Sequence, residues 1–221
     1  MKPAESSPAN QQYSWLLEPV NKAVTTINNQ PFYDWLRSVR YPEELKPVGL
    51  QIFHHSLTLP RAIGMMLTRT PFNRSELYQV YSQHAYEEAD HHLLLLDWMM
   101  THRLISDQSE AFSLVPTIET RNCINMAYEI ALDGDHDLWL CVVNTTIEAC
   151  AHEFFKVASS LTHTIGCPHK YFDVHVEADA EHSVMGLRYL SPEVDLRKDH
   201  LVGHCIDAAN RWSDMLHSWI K

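Results

Sequence analysis

One spacing occurs twice in this chain and limits what it can fold into: His84-x3-Glu88-x2-His91 and His175-x3-Asp179-x2-His182. Positions i, i+4 and i+7 share a face only on an α-helix, so each triplet directs two imidazoles and a carboxylate the same way. Random placement of 15 His and 28 Asp and Glu in 221 residues would give ~0.13 such triplets by simple counting. The shorter carboxylate-x2-His pattern carries far less. It occurs four times, at Glu88–His91, Asp133–His136, Asp179–His182 and Asp214–His217, against roughly two by chance. Two helices that face each other with these triplets form a mixed nitrogen and oxygen metal site, so the chain reads as a metalloenzyme.

The rest of the pattern is also helical, with no strand-like alternation between turn signals. Helices are expected at about 13–28, 32–40, 42–68, 74–104, 117–133, 137–163, 169–190 and 193–220. Asn73 is placed to cap the fourth. Asp133-Gly134-Asp135 separates two apolar segments, and Gly166 followed by Pro168 is a stop and restart. Pro47 and Pro60 fall inside the third segment and predict a kink or a split. Long helices with short connections make an all-α bundle. A flexible N-terminus over 1–12 and a single helical domain over 13–221 are expected.

The segment Leu138–Phe155 is apolar on most sides and reads as the central helix. Glu148 sits in its middle. A buried carboxylate without a partner costs several kcal/mol, so it needs a proton, a cation or a metal. His152, one turn on, is either a supporting group or a core histidine. The run Leu93–Met100 likewise buries the helix that follows Glu88 and His91.

The candidate ligands are therefore Glu88, His91, Glu148, His175, Asp179 and His182. In ferritin-like di-iron proteins, two carboxylate-x2-His helices face two helices that give single carboxylates. Glu88–His91 and Asp179–His182 fit the pairs and Glu148 fits one single. The last partner stays open among His84, His54, His55, Glu43 and Glu44. Imidazole with carboxylate and no thiolate favours Fe or Mn over structural Zn. Candidate walls for such a site are Trp98, Met99, Phe154, Phe155, Tyr171 and Phe172. Arg188 and Lys156 lie on suitable helices to meet a substrate carboxylate.

Composition removes several other classes. The formal charge of −11 and the absence of a basic stripe oppose nucleic-acid binding. The longest apolar runs are too short for a bilayer and Met1–Gln12 lacks the apolar core of a signal peptide, which points to the cytoplasm and no membrane partner. Five Cys without a CxxC pair read as buried free thiols in a reducing compartment. No His-Glu-x2-His zinc motif, no Gly-x-Ser-x-Gly elbow and no phosphate-binding glycine loop occurs.

With these residues in place, the chain resembles the heme-oxygenase-like di-iron oxidases over roughly residues 40–215. His175, Asp179 and His182 match that family's third-helix motif, Glu148 matches its lone Glu, and Glu88 with His91 matches its first-helix pair. Some members carry a Glu seven residues before that His, where this chain has His84. The resemblance implies a single-domain all-α heme-oxygenase-like bundle of about seven helices. It implies two Fe(II) ions with O2 as co-substrate, and Glu88, Glu148 and Asp179 at the centre of catalysis. Known activities of the family are N-oxygenation, desaturation and oxidative C–C cleavage of amino acids or fatty acids, including alkene- and nitrile-forming reactions. A small amine- or carboxylate-bearing substrate is expected, with an external electron donor and a homodimer both compatible. A metal-free thiaminase-like enzyme of the same fold is the alternative, with Cys150 beside Glu148 as its nucleophile. A non-enzymatic metal-binding helical protein is the other.

Overall fold

The computed structural model describes residues 12–220. The flexible segment expected over 1–12 lies, except for Gln12, outside the described residues. Helix follows helix, and no strand occurs among the described residues. In chain order the long elements are α1 (Ser14–Asn28), α2 (Pro31–Ser38), α3 (Lys46–Arg69), α4 (Ser75–Glu87) and α5 (His91–Thr101). Then come α6 (Gln108–Ser113), α7 (Ile118–Asp133), α8 (His136–Trp139), α9 (Glu148–Thr164), α10 (Lys170–Met185) and α11 (Lys198–Ser218). The all-α bundle expected from the pattern is what forms. No helix among the described residues is long and apolar enough to cross a membrane.

Local chemistry sets most boundaries. Thr117 and Asp135 accept hydrogen bonds from the backbone N–H groups of Thr120 and Leu138 and so cap α7 and α8. Gly134 ends α7 at φ +72°, a left-handed conformation that costs glycine nothing. Pro47 falls in the first turn of α3, where its missing N–H is harmless, and a short 3-10 turn (Pro42–Leu45) leads into it. Pro60 is carried inside α3, which continues through it as one helix. Asn73 does not cap α4: the capping position is Arg74, and no side chain bonds there.

Two departures from the expected helices matter for the site. The helix expected over 74–104 breaks at Glu88–Asp90, so α4 and α5 are separate elements. The helix expected over 137–163 is continuous, but Leu140–Ile147 winds as a π-helix between α8 and α9. Every residue of that segment is buried, and Thr145 and Thr146 donate their hydroxyls to the carbonyls of Leu140 and Cys141 five residues back. Wide turns of this kind cluster at functional sites.

The π segment and α9 form the centre. α10 packs along α9, α11 lies against α1, α7 and the π segment, and α3 covers α4, α5 and α7. Three fully buried Trp residues, Trp98, Trp139 and Trp212, anchor a core that runs from Leu16 to Trp219. All five Cys are buried and free, as the sequence suggests.

Candidate metal centre

Three parts of the bundle converge on one buried polar cluster. The end of α4 supplies His84 and Glu88, and the first residue of α5 is His91. Glu148 opens α9, and α10 supplies His175, Asp179 and His182. None of the seven residues is more than 6% exposed. The chain turn at Glu88–Asp90 does not separate the first triplet. Glu88 N still donates to His84 O at 3.0 Å, which keeps the i, i+4 relation, and His91 restarts the helix beside them.

Ligand-type atoms lie close enough to share ions. His84, Glu88 and His182 form one group, Glu88, His91 and His175 a second, and Glu148, Asp179 and His182 a third, with atoms within 4.8 Å of one another in each. Glu88 belongs to two groups and His182 to two. The His84 and His182 rings lie 4.2 Å apart, and those of His91 and His175 4.3 Å. His84 Nε2 is 3.2 Å from Glu148 Oε1, and His91 Nδ1 is 2.8 Å from Glu88 Oε2. His182 Nδ1 stands 3.7 Å from Glu148 Oε2 and 3.8 Å from Glu88 Oε1.

The outward nitrogens are held by the protein. His175 Nδ1–H donates to Tyr171 O at 2.6 Å, which leaves Nε2 with the free lone pair. His182 Nε2–H meets Glu87 Oε2 at 2.8 Å, so Nδ1 faces the cluster. The Asn144 carboxamide, on the π segment, stands 3.2 Å from His84 Nδ1. Its Nδ2 donates to that nitrogen and holds the ring from the π segment. Phe155 stacks on His175 at 4.0 Å and fixes the ring plane.

What these groups lack is as informative. His84 Nε2, Glu148 Oε1, Asp179 Oδ2 and His182 Nδ1 are buried and none makes a well-directed hydrogen bond, although His84 Nε2 and Glu148 Oε1 lie 3.2 Å apart. Buried polar atoms are nearly always paired, and four such atoms in one space fit a cation better than a void. Among the described residues, the ion-pair partners of the buried Glu88 and Glu148 carboxylates are all histidines.

The charge states favoured by this burial carry the same strain. Burial pushes the Asp179 carboxyl well above its usual range, and the charges of Glu148 and Glu88 add to that. Burial also works against ionisation of Glu148 and Glu88, but neighbouring imidazoles override it and hold both below the usual carboxylate range. His175 is pushed down to about 4, chiefly by burial. His182 is also desolvated, yet Glu148 and then Glu87 and Glu88 outweigh that and lift it to about 9. Protons occupy the places a metal ion would take.

Of the open candidates for the last partner, the structure brings in His84. His55 lies near the cluster but in none of the three groups. His54 is turned to the backbone of Leu114. Glu43 and Glu44 are exposed, and Glu44 accepts from the backbone of Arg40 and Tyr41. His152 stays outside the cluster. Glu87 and Asn144 were not among the sequence candidates; each acts across a helix–helix contact that spacing along one helix does not reveal.

A narrow cavity of about 20 Å³ adjoins the cluster, with Glu88, Glu148, His175 and Asp179 in its wall. Of the expected wall residues only Phe155 lines it. Trp98, Phe154 and Phe172 face a separate apolar space in the core, and Tyr171 contributes through its hydrogen bond to Ser56 at 2.9 Å. Ile52, Leu59, Ile147 and Trp212 complete the apolar wall. Arg188 and Lys156 do not reach it: Arg188 is exposed over the Tyr189 ring and Lys156 pairs with Glu153.

Comparison with known proteins gives one family and a fold. The family described as "Iron-containing redox enzyme" matches residues 48–217. A TenA homolog from Pseudomonas syringae pv. tomato superposes with a TM-score of 0.77 at 14% identity, covering 96% of this chain and 93% of that one. A domain of unknown function with a heme oxygenase-like fold from Shewanella denitrificans superposes with a TM-score of 0.73 at 18% identity, covering 93% and 90%. No curated protein sequence matches. The two structures establish the heme oxygenase-like fold.

Proposed function

The chain belongs to the iron-containing redox enzyme family, and from that premise we propose that it is a non-heme di-iron oxidase or oxygenase. Its substrate is a small amine- or carboxylate-bearing molecule, an amino acid or a derivative, and the reaction is N-oxygenation, desaturation or oxidative C–C cleavage. The observation that carries this reading is the set of four buried ligand atoms without a well-directed hydrogen bond on His84, Glu148, Asp179 and His182. Glu88, His91 and His175 would hold one iron. His84, Glu148, Asp179 and His182 would hold the other, and Glu88 also lies within reach of His84 and His182. The irons would supply the electrons and open positions for reaction with O2.

The chain's own residues do the remaining work. Tyr171 O and Glu87 hold the outward nitrogens of His175 and His182, so Nε2 of the first and Nδ1 of the second face the cluster. Ile52, Leu59, Ile147, Phe155 and Trp212 keep water from the reacting bond and hold the substrate beside the cluster. No Lys or Arg lines this cavity, so a charged substrate head would be met by the metal centre itself. The reading takes 13–221 as one catalytic domain in the cytoplasm, supplied by an external electron donor. Cys150 argues against the metal-free alternative: it is buried, does not line the cavity, and burial pushes its thiol far up, which makes it a poor nucleophile.

Anaerobic Fe(II) loading tests the proposal. About two Fe per chain are expected, as two ligand sets imply, with rapid Fe(II) oxidation on mixing with O2. Asp179→Ala and His182→Ala should each lower the iron content and abolish that reaction. Full iron content and undiminished O2 reactivity in both variants would sink the assignment.

A further inference from the structure

Tyr33, Tyr81 and Tyr171 are fully buried, and their hydroxyls are served differently. The Tyr33 hydroxyl has no hydrogen-bond partner. That of Tyr171 pairs with the Ser56 hydroxyl at 2.9 Å, and a hydroxyl is a poor base. Of the three, Tyr81 alone meets a base. Its hydroxyl stands 3.1 Å from His136 Nδ1, and the two rings stack with centroids 5.7 Å apart. Desolvation lowers the His136 pKa, so the imidazole is neutral near pH 7, and in the Nε2–H tautomer Nδ1 accepts the phenolic O–H.

The pair lies beside the metal centre. Tyr81 sits on α4 one turn before His84, which the reading above makes an iron ligand. Residues three apart on a helix have Cβ atoms about 5–6 Å apart. His136 opens α8 and is half-buried, so the pair leads from the cluster toward the surface. Removing an electron from a phenol in a dry site leaves a cationic radical, which burial disfavours. A base on the hydroxyl avoids that by taking the proton in the same step. The imidazolium so formed would be steadied by the backbone of Arg69 and by the charges of Asp135 and Asp137. Trp139 stands edge-on to Tyr81 at 6.3 Å, but its indole N–H has no partner, so oxidation there has no exit for the proton.

We infer that Tyr81 relays single electrons between an external one-electron reductant and the metal centre, with His136 holding its proton meanwhile. The phenolic O–H bond breaks. Its electron goes to the oxidised metal centre and its proton to His136 Nδ1, which leaves a neutral tyrosyl radical beside an imidazolium. The reductant then returns one electron to Tyr81, and His136 returns the proton. This rests on the metal-centre reading given above and deepens it with a path for electrons.

The test mixes Fe(II)-loaded protein with O2, without substrate, and freezes samples at intervals for electron paramagnetic resonance. An organic radical is expected that ascorbate quenches and that ring-deuterated tyrosine narrows. Tyr81→Phe should abolish it at unchanged iron content, while Tyr171→Phe should keep it. His136→Leu should slow its rise about 100-fold, the worth of a positioned proton acceptor. Heavy water should slow the rise in the unaltered protein, a measurement that needs no variant to fold. In the metal-free protein, Tyr81→Phe should move the nitrogen NMR signal of His136 Nδ1, which reports on the pair without iron. A radical that survives in Tyr81→Phe overturns the relay, and so does the absence of a radical in unaltered protein that takes up and oxidises its iron. An unmoved His136 signal, or a rise unaffected by heavy water or by His136→Leu, overturns the role of His136. Protein that binds no iron, or binds it without reacting with O2, removes the metal-centre reading and the relay with it.

Discussion

A metal-binding imidazole is only as good as the group that holds its other nitrogen. Glu87 does this for His182, with its carboxylate 2.8 Å from Nε2. Removing it in Glu87→Ala lets the ring rotate or change tautomer, and affinity for Co(II) or Fe(II) should fall about 10–100-fold. Glu87→Gln keeps an oxygen acceptor and should retain most of the affinity. Metal titration of the two variants at neutral pH checks this; equal affinity in all three proteins would reduce Glu87 to a bystander. The residues that meet in the cluster could be read from the sequence, because i, i+4 and i+7 is a helical address and a carboxylate in an apolar run needs a partner. His84 could be read only as a candidate. Its assignment needed Glu148 Oε1, 3.2 Å away on another helix. Glu87 stood in the same polar run as Glu88, and nothing in its spacing told it apart from a solvated surface group.

At the level of elements, the cluster is held in register by the irregular helix in the middle of the fold. Gly186, just past α10, closes against Leu140 of the π segment. A Cβ there would lie 2.7 Å from Leu140 Cδ2 and 3.5 Å from its Cβ and Cγ, and Leu140 is fully buried. The backbone of Gly186 is ordinary, at φ −80°, so the cost of Gly186→Ala is one of space alone. Overpacking of this kind costs about 1–3 kcal/mol. The Tm should fall by about 2–4 °C for each kcal/mol in a chain of this size, and a thermal melt followed by circular dichroism would show it. An unchanged Tm would mean that Leu140 yields freely. Neither this contact nor the π turn was legible beforehand. Leu140–Ile147 has the composition of a buried α-helix, and only packing decides how tightly it winds. The break at Glu88–Asp90 was hidden for a related reason. Glu, Ala and Asp carry no Gly or Pro signal, and the interruption answers to tertiary contacts. By contrast, the caps at Thr117 and Asp135 and the stops at Gly134 and Gly166 follow from local chemistry, and the helices they bound fell where expected.

Across the whole molecule, the buried cluster couples folding, protons and metal. The all-α bundle followed from periodicity, but the cavity did not, since it is lined by residues from α3, the π segment, α9, α10 and α11 that come together only in the fold. Four imidazoles and three carboxylates without a Lys or Arg cannot all take their ordinary charge states. His182, raised from 6.5 to about 9, stabilises the metal-free fold fully below pH 6.5, and that contribution is lost as pH rises through 9. His175, depressed to about 4, works in the other direction: its contribution is present above 6.5 and lost as pH falls toward 4. Asp179 is raised, so it too holds a proton that the unfolded chain would release. Metal must displace the protons on His182 and Asp179, because only the deprotonated forms bind it. Binding at pH 7 should therefore release at least the His182 proton. Metal affinity should climb with pH and level off near 9, where His182 is already free. Calorimetric titration in buffers of different protonation enthalpy counts those protons directly. The same coupling requires that the metal-free protein lose Tm between pH 6.5 and 9 while the loaded protein does not. Binding without proton release, together with parallel melting curves in the two states, would show that the cluster does not exchange protons for metal.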